Sequence, residues 1–145
     1  MKISLVLVIV TLFLIAGGAS AQSSKTYKDG SVWTISMIKT KQGMKDDYLA
    51  DLKTTWKAVH DEAVKQGLII SYKIISGTAS SPEDWDLMLM QEYKDLATME
   101  AGKDKWDVIE KKVVGSDEAM KTLMQSRVSK REMYGTKMMR EVIFK

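Results

Sequence analysis

One histidine is all that this 145-residue chain offers for proton transfer near neutral pH. His60 stands one turn after Trp56 in "TTWKAVHDEAV", with Asp61 and Glu62 beside it. On a helical wheel it flanks an apolar stripe, at the rim of any pocket between that helix and a sheet. There it could act as a general base or as a haem ligand. The plainer reading is a boundary histidine making a local hydrogen bond, as isolated histidines often do. Any histidine-dependent mechanism must use His60, so one substitution tests them all.

Other chemistries find little support. Protein-only zinc sites draw on several Cys and His ligands, and the chain has no cysteine. "SSPEDWD" brings together Glu83, Asp84 and Asp86 without the spacing of a calcium loop. No G-x-S-x-G elbow and no glycine-rich phosphate loop occurs. Met88 and Met90, or Met138 and Met139, offer thioethers to copper(I), but methionine also fills irregular cores, and core packing is the better account. No metal site is expected. No cofactor is expected either, with haem on His60 the lesser alternative. Trp33, Tyr48, Trp56, Tyr72 and Tyr93 could line a cavity for a flat apolar ligand. The basic segment with Lys121, Arg127, Lys130, Arg131, Lys137 and Arg140 reads as a solvated helix face.

The elements that would position these residues follow from periodicity. "VWTISMIKT" alternates as a strand, and "KQG" then signals a turn. In "MKDDYLADLKTTWKAVHDEAVKQG", Tyr48, Leu52, Trp56, Val59 and Ala63 recur at three- and four-residue steps, an amphipathic helix closed by Gly67. "LIISYKIISG" reads as a second strand, with Leu68, Ile70, Tyr72 and Ile74 on its apolar face. After the loop "TASSPE" comes the third, "DWDLMLMQEY". Helical segments broken by Gly102 and Gly115 lead to "SDEAMKTLMQSRVSKREMYG", capped by Ser116. "TKMMREVIF" closes the chain as a fourth strand. Strand, helix, two strands, helices, strand is the split βαβ, ferredoxin-like plan: an α+β fold with a four-stranded antiparallel sheet.

The third strand is apolar on both faces. Leu87, Leu89 and Tyr93 share one side, and Met88 and Met90 the other. Helices cover one face of such a sheet, so Met88 and Met90 are expected at a homodimer interface. Thr34, Ser36 and Ile38 on the first strand, and Ile69, Ser71, Lys73 and Ile75 on the second, are expected to share that uncovered face.

The chain opens on "MKISLVLVIVTLFLIAGGASAQ", with one lysine, an apolar run and Ala19-Ser20-Ala21. This predicts a signal peptide over residues 1–21, a flexible lead-in over 22–31 and one domain over 32–145. An exported protein would be periplasmic or extracellular and free of the membrane after cleavage. The overall charge of +3 gives no reason to expect a nucleic-acid partner.

The pattern of alternating strand, "KQG" and then "GMKDDY", with an aromatic five residues after the glycine, resembles the dimeric α+β barrel superfamily. "EYKDLATM" after the third strand is similar to the strand-to-helix passage found there. The resemblance spans about Val32 to Phe144. It implies a homodimer and a range of roles: cofactor-free monooxygenases acting on aromatic polyketides, haem-binding and haem-degrading proteins, lactone isomerases, and many proteins of unknown role. The helical stretch before the last strand is longer than the plain superfamily pattern. The leading expectation is a protein that binds a small apolar or aromatic molecule. The alternatives are an enzyme, either a cofactor-independent monooxygenase or a haem protein using His60, and a structural dimer with no ligand.

Overall fold

A computed structural model describes residues 25–145. The expected signal peptide, residues 1–21, lies outside the described residues. Strand β1 is Tyr27–Thr40; α1 (Lys45–Asp51), a π-helical turn (Leu52–Trp56) and α2 (Lys57–Lys65) follow as one continuous helical run. Then come β2 (Ser71–Ser76), β3 (Leu87–Tyr93), α3 (Leu96–Ala101), α4 (Lys103–Val114), α5 (Asp117–Lys130) and β4 (Arg131–Phe144). The sheet order is β2-β3-β1-β4, antiparallel throughout. This is the four-stranded α+β architecture read from the sequence.

Pairing fixes which side chains share a face, because residues opposite one another in a ladder point the same way. Val32 pairs with Tyr93, Ser36 with Leu89 and Ile38 with Leu87. These residues face the helices, where Val32, Ile38, Leu87, Leu89 and Tyr93 are buried. Trp33, Ile35 and Met37 share the opposite face with Met88 and Met90. Thr34, Ser36 and Ile38 were expected on the uncovered side; they lie on the helix side instead. Ile69 also departs from expectation, being buried in the core just before β2 begins.

The helical run crosses the sheet with Tyr48, Leu52, Trp56, Val59 and Ala63 buried, as their spacing predicts. Two successive four-residue steps would drift by about 40° each around an α-helix of 3.6 residues per turn. The π-turn over Leu52–Trp56 takes up that drift, with the Lys57 N–H reaching back to the Leu52 carbonyl. Tyr48, Leu52 and Trp56 therefore stay in line above β1 and β3, in one cluster with Ile38, Leu87 and Leu89. A second cluster joins Val59 and Ala63 to Val32, Leu68, Ile69, Tyr93 and Ile109.

Three boundaries move. β1 begins at Tyr27, so the lead-in expected over residues 22–31 is strand from that point; Tyr27, Lys28 and Asp29 pair with Phe144, Ile143 and Val142. β2 is shorter than expected, and Ile70 is half exposed. β4 begins at Arg131, within the stretch read as helix. Its alternation is broken between Met133, opposite Ile38, and Gly135, opposite Met37. The extra residue, Tyr134, makes a β-bulge. Gly135 takes φ 136° there, a conformation open to glycine. Ser116 and Asp95 cap α5 and α3, accepting bonds from the N–H groups of Ala119 at 3.1 Å and Thr98 at 2.7 Å.

Candidate functional site

His60 is buried at 3 % exposure, not at a boundary. It stacks on Trp56 with ring centroids 3.8 Å apart, and Tyr72 and Trp106 flank it at 5.4 and 5.3 Å. It thus bridges the two core clusters. The Trp56 carbonyl lies 2.7 Å from Nδ1 and can only accept, which assigns the proton to Nδ1. Nε2 then accepts from the Gln91 amide at 2.7 Å. The Gln91 oxygen in turn accepts from Thr34 at 3.0 Å and from the Tyr93 hydroxyl at 2.9 Å. Desolvation by burial holds the His60 pKa down at about 4, outweighing the Trp56 carbonyl and Asp61, which favour the charged form. A neutral imidazole with both nitrogens engaged serves as a polar tether between helix and sheet.

Beside this tether a cavity of about 370 Å³ lies between the sheet and the helices. β1 and β3 supply Thr34, Ser36, Leu89 and Gln91, and the helical run supplies Tyr48 and Trp56. α5 and the start of β4 complete it with Met124, Arg127, Arg131, Met133 and Thr136. The volume falls within the range of small-molecule sites, about 300–1,000 Å³. The lining combines aromatic and aliphatic surface with a few hydroxyls, an amide and two guanidinium groups.

Of the five aromatics expected to line a pocket, Tyr48 and Trp56 do so. Tyr72 meets Trp56 edge-on at 5.2 Å and Tyr93 holds Gln91, so both support the wall from behind. Trp33 is elsewhere. It lies on the opposite face of the sheet, beneath the Lys73 ammonium at 5.2 Å, and donates to Ser31 at 3.0 Å.

Arg127 was read as part of a solvated helix face, and that is corrected: it is 7 % exposed and points inward. The signal was present in the sequence. Met120, Leu123, Met124 and Arg127 fall on one stripe of α5 at three- and four-residue spacing. Arg127 Nη2 donates to Thr55 at 2.8 Å. Arg131 lies over the Tyr48 ring at 5.8 Å. Burial raises the Tyr48 pKa, with Arg131 and Arg127 opposing it, so its hydroxyl is protonated at neutral pH. The hairpin carboxylates are structural. Asp86 accepts from the Thr40 N–H and hydroxyl and pairs with Lys45, and Asp84 accepts from Ser80.

Comparison with solved structures places this architecture among known folds. A crystal structure of a NIPSNAP family protein of unknown function from Agrobacterium tumefaciens superposes with a TM-score of 0.52 at 12% sequence identity, covering 80% of this chain and 92% of that one. The fold is ferredoxin-like. That agrees with the layout expected from the resemblance to the dimeric α+β barrel superfamily. Two further similarities are to a dimeric ferredoxin-like protein from Bacteroides fragilis (TM-score 0.43, 12% identity, 79% and 97% coverage) and to one from an uncultured marine organism (0.47, 13%, 81% and 90%). No protein-family model and no curated protein matches the chain.

Proposed function

We propose that this protein is an exported, homodimeric binder of a small apolar or aromatic molecule. The observation that carries the binding reading is the cavity of about 370 Å³ between sheet and helices, with Tyr48, Trp56, Leu89 and Met124 in its walls. Burial of apolar ligand surface there would supply the affinity, at about 25 cal/mol per Å² removed from water before the costs of association. His60 is better suited to hold the cavity's shape than to transfer protons. Its acceptor nitrogen is engaged by Gln91 and its pKa lies well below neutral. Native mass spectrometry of protein from its own compartment tests the reading. A bound organic mass is expected, displaced on denaturation; protein that carries none, and binds no apolar probe, would leave the structural-dimer alternative.

The dimer reading is supported by the sheet's outer face. Trp33, Ile35, Met37, Ile75, Met88, Met90 and Met139 lie on it by register, and among the described residues no helix packs there. Along the edge strand β4, Met133 and Met138 are also exposed, on the helix side opposite Ile38 and Thr34. A 14-residue edge with apolar side chains on both faces invites pairing unless covered, and a second copy would cover it isologously. Export rests on the sequence alone, and mass analysis of the exported protein should find Gln22 at its N-terminus. Retention of residues 1–21 would refute it.

A further inference from the structure

The cavity's polar end is more specific than its apolar walls. Arg127 and Arg131 both line it, and each has a buried Nε with no hydrogen-bond partner. The acids whose charge is felt at Arg127 are Asp51 and Glu110, and neither pairs with it. Asp51 is paired with Lys130, and Glu110 on α4 faces Arg127 across a separate small void without forming an ion pair. Neither guanidinium makes a salt bridge among the described residues. Burial lowers the Arg127 pKa, the sign of a charge held at a cost, yet an arginine so placed stays ionised. Two guanidinium groups without a carboxylate partner, both lining one cavity, give it an electropositive end beside its apolar walls.

Resting on the binding reading above, we infer that the ligand is a carboxylic acid with an apolar or aromatic body. Its carboxylate would pair with the guanidinium groups of Arg127 and Arg131, which match carboxylate geometry and make charge-assisted bonds to it. The body would lie against Trp56, Leu89 and Tyr48. About 150 Å³ suffices for a benzene ring, so the chamber has room for one or two fused rings with the head group. Arg127 is anchored through Nη2 on Thr55, and Arg131 rests on the Tyr48 ring, so both are positioned before any ligand arrives.

Isothermal titration calorimetry with matched probes tests this: benzoate, 2-naphthoate and decanoate, each against its neutral primary amide. At least one carboxylate should bind tenfold or more tightly than its amide. That preference should fall to threefold or less in Arg127→Met and in Arg131→Met, while the amide's affinity stays within about threefold. Arg127→Met should also raise the Tm of the ligand-free protein, because it removes a buried unpaired charge; Arg131→Met is the second variant should the first fail to fold. Equal binding of acid and amide would overturn the inference and leave the apolar binding reading standing. No binding by any of the six probes would overturn both. A carboxylate preference that survives both substitutions would overturn the assignment to these arginines.

Discussion

His60 contributes to the pH response of the fold. Its pKa falls from 6.5 to about 4 on folding, so the unfolded chain binds the proton more readily. The contribution is therefore complete above about pH 6.5 and lost as pH falls toward 4. By linkage it amounts to about 3 kcal/mol. Asp61, Glu62, Asp84, Asp86 and Asp95, whose pKa values are lowered, also lose stabilisation on acidification. Urea denaturation of wild type and His60→Gln between pH 4 and 7 separates the two: the difference between the curves should carry the histidine's slope. A flat difference would mean that His60 is not buried neutral. Substitution by alanine is harsher, removing the stack on Trp56 and stranding the Gln91 amide. His60→Ala is expected to cost about 2–4 kcal/mol at pH 7, with apolar ligand binding retained. Abolished binding in a variant that keeps its stability would instead give His60 a direct role.

At the scale of elements, irregularities do the positioning. The π-turn keeps Tyr48 and Trp56 on the cavity wall, and the β4 bulge lets Met133 and Arg131 keep their places opposite Ile38 and Thr40. Gly135 makes that bulge with φ 136°, and a Cβ built there meets nothing within 4 Å. The penalty of Gly135→Ala is thus conformational rather than steric, about 1–3 kcal/mol. Gly77, which has a negative φ and equally open space, should accept alanine almost without cost. Equilibrium unfolding of the two variants side by side checks this; equal stability would place no special demand on Gly135.

For the whole molecule, the outer sheet face is an apolar surface that a single copy leaves uncovered by helices. If a second copy covers it, Met90→Asp brings like charges into a dry interface, where an uncompensated ion costs several kcal/mol. Size-exclusion chromatography with light scattering should then show a monomer or insoluble material in place of the dimer. A wild type that runs as a monomer at tens of micromolar would end the dimer proposal. The substitution should leave the carboxylate preference of any monomer that remains soluble intact, because the cavity lies on the other face of the sheet.

The order of elements, the apolar stripe through Tyr48, Leu52, Trp56, Val59 and Ala63, and the two-sided character of β3 were legible in the sequence. Each is a short-range periodicity, and burial enforces it. What lay beyond reach depends on pairing between distant segments. Whether Trp33 or Thr34 faces the helices is set by the β1–β3 register, and one residue's shift exchanges the two. "REMY" reads locally as helix, yet becomes strand because β1 offers it a hydrogen-bonding partner. Arg127 looks like surface until α5 is packed against the helical run, which turns its stripe inward toward Thr55. His60 gained its neutral state in the same way, from burial between helix and sheet that only the tertiary fold brings about, with an amide 31 residues away bonded to its ring.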